Sequence, residues 1–213
     1  MNYLQALILA IIEGLTEFLP VSSTGHMVIA SSIMGIATDD FVKLFTIAIQ
    51  LGAILAVVVV YWKKFINLNS FAFYVKLAIA VVPALLFGYL LNDFIDNKLG
   101  NPIFIAVILL LGGIVLLFID KLFKNPTVND ESKITNATAF KIGLYQVLAV
   151  CFPGLSRSAA TIIGGMQQKL TKNAAAEFSF FLAVPTMLGA TVKKCYDYYK
   201  DGFVLSDDQI NYL

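Results

Sequence analysis

The sequence is poor in charge and cysteine and has only one histidine and one tryptophan. Charged residues make up 14% of its 213 positions, against roughly 25% in soluble domains, and 59% are hydrophobic. The 15 basic and 14 acidic residues nearly cancel, which argues against a nucleic-acid binder with a basic face. Two cysteines are too few for a disulfide scaffold or a cysteine metal site. The hydrophobic content excludes a disordered chain and disfavours a soluble domain.

Four long apolar segments are typical of membrane-spanning helices: 44–62, 71–92, 99–119 and 173–192. A helix needs about 20 residues to cross the hydrocarbon core, and each segment reaches that length with one charge at most. The N-terminal residues do not form a cleaved signal peptide, because no basic residue precedes the apolar run and Glu13 and Glu17 interrupt it. We therefore expect an all-α polytopic membrane protein with about four transmembrane helices in one integral domain, 1–213.

Two further apolar segments are each interrupted by proline, serine and glycine, at 20–25 and at 153–158. Each half is too short to cross the membrane comfortably. We expect two re-entrant helical hairpins, 1–40 and 138–168, with irregular backbone at membrane depth that protein or a water-filled cavity surrounds. The three spans between them, within 41–119, are odd in number, so the second hairpin should enter from the opposite face.

The two hairpins resemble each other. Aligning Pro20 with Pro153 pairs Glu13 with Gln146 and Ser23 with Ser156. Few positions are identical, but together with the odd span count the likeness favours an inverted-topology repeat. Opposed hairpins of this kind place a site near the bilayer midplane.

Lysines predict the orientation, because they are enriched in cytoplasmic loops. The loops at 63–64 and 120–141 carry several lysines, and we assign both to the cytoplasm. The loop at 92–101 and the segment around Asp39 and Asp40 are acidic and should lie outside. The first hairpin then opens outward and the second inward, and the tail from Lys193 lies outside despite its lysines.

Ionisable residues at membrane depth are expensive and usually face a cavity or a partner. They are Glu13, Glu17, His26, Arg157 and Glu177. All but Glu177, which we expect at the interface, belong to the hairpins. Arg157 is the only arginine among 15 basic residues, and its planar fork suits a phosphate.

Glu13 and Glu17 share one helix face, since they are spaced i,i+4. They predict a divalent-cation site or an acid/base pair, and the alternative is a pair at a helix end that faces headgroups or pore water. Magnesium favours carboxylates together with substrate phosphate oxygens. His26 is either a functional residue of the same loop or a buried histidine that caps it.

Hydroxyl-bearing residues at each break precede a short helix. Ser22, Ser23 and Thr24 could serve only as N-caps, but a helix N-terminus with hydroxyls and free N–H groups at mid-membrane is also an anion site. The same holds for Pro-Gly-Leu-Ser-Arg-Ser at 153–158, where Gly154 would let the backbone approach a ligand. Gln50, within an apolar span, predicts an interhelical hydrogen bond.

Two motifs resemble the signatures of a known family. The run Glu-Gly-Leu-Thr-Glu-Phe-Leu-Pro-Val-Ser-Ser-Thr-Gly-His at 13–26, and 153–158 with Thr161, are similar to those of the undecaprenyl-diphosphate phosphatase, or bacitracin-resistance, family. The run at 175–186 also resembles the family, and the likeness covers essentially the whole chain.

This resemblance implies a bacterial inner-membrane hydrolase whose site is open to the periplasm. It would convert undecaprenyl diphosphate to the monophosphate and inorganic phosphate, which recycles the lipid carrier of peptidoglycan synthesis and confers bacitracin resistance. The implied cofactor is Mg²⁺ or Ca²⁺ at Glu13 and Glu17. The partners are the prenyl diphosphate and the bilayer, with no nucleic acid, and a homodimer is left open.

The resemblance also assigns residues. The catalytic set is Glu17, Ser23, His26 and Arg157, and the substrate-binding set is Ser22, Thr24, Gly154, Ser156, Ser158 and Thr161. The sequence departs from the family at Ala159, where glycine is usual, and in length, because family members usually continue with two more spans. Either Ser23, activated by His26 or Glu17, or a water that these residues activate would attack the phosphate.

A lipid-phosphate flippase or anion transporter is the rival function, because inverted hairpins around a midplane site are also transporter architecture. A pure carrier has no need of two carboxylates beside an anionic substrate unless a cation or proton is coupled. A structural membrane protein would leave the placement of His26 and Arg157 beside the breaks unexplained.

Overall fold

Helices form nearly all of the part of the chain that the structure, a computed structural model, describes. The described residues are 1–67, 71–91 and 101–200, with single positions at 94, 95, 98, 202 and 209. Within them the one exception to helix and loop is an isolated parallel bridge between Val128 and Leu170. The all-α prediction is confirmed for these residues.

The four predicted spans are confirmed as helices long and apolar enough to cross a membrane. They are α3 (Asp40–Val60), α5 (Phe71–Leu90), α6 (Pro102–Leu122) and α9 (Lys172–Lys200), with a short α4 (Trp62–Ile66) after the first. The span expected from residue 99 begins at Pro102, because the Asn101 side chain accepts from the Phe104 N–H at 3.0 Å and caps the helix. The last span continues past 192, where Lys193 pairs with Asp197 at 2.7 Å along the helix.

Both helical hairpins are present at the predicted breaks. The first consists of α1 (Tyr3–Thr16) and α2 (Ser23–Ile33), and the second of α7 (Asn136–Cys151) and α8 (Arg157–Gln167). The helix expected to reach Leu19 ends at Thr16, since the chain turns there to bring Ser22 into a left-handed conformation, φ 64°. In each hairpin the second helix therefore starts at the break and points its N-terminus there.

The burial pattern agrees with the inverted repeat. With Pro20 aligned on Pro153, Glu13 and Gln146 are equivalent, and each is 1% exposed. Four exposed apolar side chains of each hairpin also occupy equivalent positions: Leu7, Ile11, Leu15 and Leu19 on the first, and Phe140, Leu144, Leu148 and Phe152 on the second. Each hairpin thus turns one apolar stripe outward and one polar side chain inward.

Two buried apolar clusters hold the helices together. The larger joins α5, α7 and α9 around Phe178 and Phe181, and the smaller joins α1, α2 and α3 around Leu9 and Phe41. The contact between α5 and α7 is tight, because a Cβ on Gly143 would lie 2.3 Å from the carbonyl oxygen of Ala80. By contrast α6 packs little, with only 6% of its apolar stretch buried.

The long connection between α6 and α7 is tied to the helix ends. Lys64 forms an ion pair with buried Glu131 and lies 4.7 Å from the centre of the Phe181 ring. The Lys169 carbonyl accepts from the Val128 N–H at 3.0 Å. In the same loop the N–H and hydroxyl of Ser132 interact with Asp130 and hold the pKa of its carboxyl below the usual value. Most of the expected outer loop, 92–101, lies outside the described residues.

Candidate active site

The breaks of the two hairpins meet at Glu17. This carboxylate, 8% exposed, follows the last residue of α1. Its Oε1 accepts from Nη2 of Arg157 at 2.8 Å, and its Oε2 accepts a short hydrogen bond from the hydroxyl of Ser23. Three residues expected in the site are therefore joined, although Glu17 and Arg157 lie far apart in sequence.

This ion pair is largely shielded from solvent, with side-chain exposures of 16% for Arg157 and 6% for Glu17. Removal of one partner from such a pair would leave an uncompensated charge in a low-dielectric setting. Glu17 therefore holds the two hairpins in register and keeps the Ser23 hydroxyl oriented at the same time. A hydroxyl that donates to a carboxylate is arranged to lose its proton to that carboxylate.

Glu13 lies one turn before Glu17 and is 1% exposed. Neither of its carboxylate oxygens has a hydrogen-bond partner among the described residues. Buried polar atoms in native proteins are nearly always satisfied, so an orphaned carboxylate implies a further group. The two acids share a helix face as predicted, but only Glu17 is engaged.

The start of α2 carries two more of the predicted residues, Ser22 and His26. Ser22, its N-cap, accepts from the Gly25 N–H at 3.3 Å, in a left-handed conformation that is uncommon for serine. The ring Nδ1 of His26 lies 2.9 Å from the Ser22 carbonyl oxygen. A carbonyl can only accept, so Nδ1 carries a proton and the lone pair of a neutral ring is on Nε2.

The start of α8 presents a chain of hydroxyls toward the first hairpin. Ser158 donates to the carbonyl of Leu19 at 3.2 Å, and Ser156 lies 2.9 Å from the Ser158 oxygen. Ser156 also caps the helix by accepting from the Ala159 N–H at 3.2 Å. The N-termini of α2 and α8 both belong to hairpin breaks that touch, which gives one region two sets of helix N–H groups.

Three predicted binding residues use their groups within the protein. The Thr24 hydroxyl accepts from the Gln50 amide at 3.2 Å, which confirms the interhelical hydrogen bond expected of Gln50. Thr161 is 1% exposed and lies 2.7 Å from the Ser179 hydroxyl. Gly154 has φ 101°, and a Cβ there would lie 2.7 Å from a carbonyl oxygen of α6. Close packing against α6 therefore also requires glycine at this position, in addition to the ligand approach predicted for it.

Ser179 is the neighbour that residue patterns missed. Its main-chain carbonyl oxygen lies 3.4 Å from Nη1 of Arg157, whereas Glu17 contacts Nη2. The sequence signals are a small polar residue inside an apolar helix and its place within the run at 175–186. Glu177, by contrast, is half-buried near the start of α9, close enough to Lys64 to attract its ammonium group.

The donor set fits a hard cation that the substrate helps to hold. Within the described residues no three His, Cys, Asp or Glu side chains come together as a ready ligand set. The orphaned oxygens of Glu13 are nonetheless carboxylate ligands of the kind that Mg²⁺ and Ca²⁺ prefer. Mg²⁺ usually binds one or two carboxylates plus phosphate oxygens and waters, so Glu13 alone, or with Glu17, is a sufficient protein share.

Comparison with known proteins gives one consistent result. A family model described as bacitracin resistance protein BacA matches residues 6–212. A protein of Flavobacterium johnsoniae named undecaprenyl-diphosphatase is 64% identical over 100% of this chain and 80% of its own length. Relatives of the same name from Flavobacterium psychrophilum and Bdellovibrio bacteriovorus are 63% and 46% identical over 100% of this chain, and over 79% and 80% of their own lengths.

Proposed function

The chain belongs to the bacitracin resistance protein BacA family, and we propose that it hydrolyses undecaprenyl diphosphate to undecaprenyl phosphate and inorganic phosphate. The observation that carries this proposal is the Glu17 carboxylate, which binds the Ser23 hydroxyl and the Arg157 guanidinium at once. A nucleophile, its base and an anion-binding cation are the parts that phosphoryl transfer requires.

The alternative hypothesis, a lipid-phosphate flippase or anion transporter, is not favoured. The curated relatives cited above carry the name of a phosphatase. A carrier of a lipid phosphate would use Arg157 to bind the anion, but it has no use for a serine hydroxyl held on a carboxylate. Proton transfer does use that arrangement, and it belongs to catalysis.

In the proposed complex the prenyl chain stays in lipid and the diphosphate enters between the hairpin breaks. Arg157 has five N–H donors, of which two contact Glu17 and Ser179, so others remain for phosphate oxygens. The N–H groups at the starts of α2 and α8 add donors to the same region. Fixed donors in a water-poor site stabilise the charge that develops during transfer.

We favour Ser23 as the nucleophile, with Glu17 as its base. The Ser23 oxygen attacks the terminal phosphorus while its proton passes to Oε2 of Glu17. The bond from that phosphorus to the bridging oxygen breaks, and undecaprenyl phosphate leaves. Water then attacks the phosphorus of the phosphoserine with its proton taken by Nε2 of His26, and the bond from that phosphorus to the serine oxygen breaks. The serine oxygen recovers its proton from Glu17, and inorganic phosphate leaves with the proton from His26. Direct attack by a water is the alternative outcome of the test below.

A divalent cation, Mg²⁺ or Ca²⁺, belongs to this proposal as a cofactor. Glu13 would hold it, with Glu17 as the second carboxylate if its contact with Arg157 or Ser23 is exchanged. When bound, the cation neutralises charge on the diphosphate. A cation there would also give the buried Glu13 carboxylate the partner that it lacks among the described residues.

We place the protein in the inner membrane with the site open to the periplasm, on the basis of the lysine distribution of its loops. The proposal includes a homodimer only because α6 is largely unburied and a second copy would cover its exposed face. Light scattering of the purified protein in detergent distinguishes one copy from two.

The deciding experiment compares Ser23→Ala with Ser31→Ala. Both serines lie on α2 and are buried, at 5% and 4% exposure, but the Ser31 hydroxyl bonds only to a carbonyl of its own helix. We expect metal-dependent phosphate release from a prenyl diphosphate to fall about a thousandfold or more in the first variant and to persist in the second. Substantial activity of Ser23→Ala would show that water attacks directly, and an inactive wild-type protein would refute the proposed hydrolysis.

A further inference from the structure

The motif at 175–186 contains a polar residue that the proposed mechanism does not use. Ser179 lies in the apolar helix α9 and is 0% exposed. Two of its groups contact the second hairpin: the main-chain carbonyl oxygen lies 3.4 Å from Nη1 of Arg157, and the side-chain hydroxyl lies 2.7 Å from that of Thr161. Because the carbonyl and the hydroxyl of this fully buried serine both contact α8 near its start, the residue does more than pack against that helix.

Close packing of α8 against α9 creates these contacts. A Cβ on Gly165 would lie 2.8 Å from the Cβ of Ala175, so the two helices approach as closely as glycine allows. One turn away on each helix, Thr161 faces Ser179. The Gly165–Ala175 contact therefore sets the register between the two helices, and the Thr161–Ser179 hydroxyl pair continues it.

The hydroxyls have one arrangement that satisfies both. The Thr161 oxygen lies 3.0 Å from the carbonyl of Arg157 and 3.2 Å from that of Ser158, and carbonyls only accept. Thr161 therefore donates to the first turn of α8 and accepts from Ser179. The first turn of α8 carries the Arg157 side chain. Helix α9 therefore contacts this turn through the hydroxyl of Thr161 and contacts the guanidinium through the main-chain carbonyl of Ser179.

We propose that Ser179 is a positioning residue for Arg157, which it holds against Glu17 in the orientation that binds the diphosphate. The inference rests on the proposed function, because it concerns the group that recognises the substrate. An arginine side chain has many rotamers, and a group fixed before binding spends less entropy on the ligand. The Ser179 hydroxyl fixes α9 against the first turn of α8, which keeps the main-chain carbonyl of Ser179 next to Nη1 of Arg157 while Glu17 contacts Nη2. Held in this way, the guanidinium keeps its plane and directs its remaining donors into the site.

The test is a double-mutant cycle in the full chain purified in detergent. Ser179→Ala keeps the main-chain carbonyl and removes only the hydroxyl that contacts Thr161. It is made in the wild-type protein and in Arg157→Lys, which has no planar fork to orient, and Ser31→Ala is the control for loss of a buried serine hydroxyl. Two quantities are measured: kcat/KM for phosphate release from a prenyl diphosphate, and the Kd of inorganic diphosphate with Mg²⁺ present. The second does not depend on turnover.

In the wild-type protein, Ser179→Ala should lower kcat/KM and raise the Kd of diphosphate, each by about five- to tenfold. In Arg157→Lys both changes should be less than twofold, and Ser31→Ala should stay near wild type. Equal losses in both backgrounds would mean that Ser179 only supports the fold, and no loss in the wild-type protein would also overturn the proposal. If Ser179→Ala does not fold, Thr161→Val breaks the same bond from the other side and is expected to show the same pattern. A wild-type protein that binds diphosphate but releases no phosphate refutes the hydrolysis, while the Kd values still decide the role of Ser179.

Discussion

Arg157→Lys tests the core of the site, because it keeps the positive charge and removes only the planar fork. In the structure the guanidinium donates to Glu17 at 2.8 Å and to the Ser179 carbonyl at 3.4 Å, with further N–H groups left for substrate. A lysine ammonium can maintain the contact with Glu17 but cannot span both neighbours and present two parallel donors to a phosphate.

The size of the effect follows from the donors that are lost. A hydrogen bond to a charged group contributes about 1.5–3 kcal/mol, so loss of two to the diphosphate weakens transition-state binding by about 3–6 kcal/mol. At about 1.4 kcal/mol for each factor of ten, kcat/KM should fall roughly 10²- to 10⁴-fold. Arg157→Ala is a poorer test, because it leaves the Glu17 charge buried without a partner and unfolding would lower activity for another reason.

The assay is steady-state release of inorganic phosphate from a prenyl diphosphate in detergent with Mg²⁺. Thermal unfolding of the same preparations verifies that Arg157→Lys is folded, and Ser31→Ala serves as the control for substitution within the membrane domain. A kcat/KM within threefold of wild type would refute the bidentate role and leave Arg157 as a simple counter-ion of Glu17.

Three other substitutions test separate parts of the structure. Glu13→Gln should raise the Mg²⁺ concentration needed for half-maximal activity by about tenfold or more without loss of Tm, because its oxygens form no hydrogen bond with the described residues; an unchanged titration would contradict its role as a ligand. Glu131→Gln should lower stability by about 1–3 kcal/mol and Tm by several degrees, since Lys64 loses the buried carboxylate that it contacts directly, whereas Asp197→Asn at a more exposed pair should change Tm little. Gly154→Ala should cost about 2–4 kcal/mol, because alanine disfavours φ 101° and its Cβ would clash with α6; a Tm equal to wild type would show that the break relaxes easily.

Much of the fold could be predicted because the membrane restricts the choices. A continuous apolar run of about 20 residues has few alternatives to a spanning helix, and this decided all four spans. Helix ends were less predictable: α9 continues to Lys200, since alternating charges satisfy a helix outside the apolar segment. The end of α1 at Thr16 depends on a left-handed Ser22 that no composition rule requires.

The candidate site was predictable in its members but not in its connections. The cost of burying charge singled out Glu13, Glu17, His26 and Arg157 in a chain that otherwise places most of its charge in loops and near helix ends. Sequence reasoning left open whether His26 or Glu17 would orient Ser23, and the structure places its hydroxyl on Glu17. The i,i+4 spacing made Glu13 and Glu17 look equivalent, yet among the described residues Glu17 forms hydrogen bonds and the oxygens of Glu13 form none.

By itself the sequence determined that this protein is an all-helical membrane domain with two broken hairpins, and which residues must be accounted for at membrane depth. Those conclusions depend on transfer energies and periodicity, which are properties of short segments. Only the tertiary structure decided that Glu17 meets Arg157 across the chain, and that Ser179, unremarkable in α9, touches that arginine. Such contacts depend on how closely the helices pack, and that closeness comes from glycines whose partners lie on other helices.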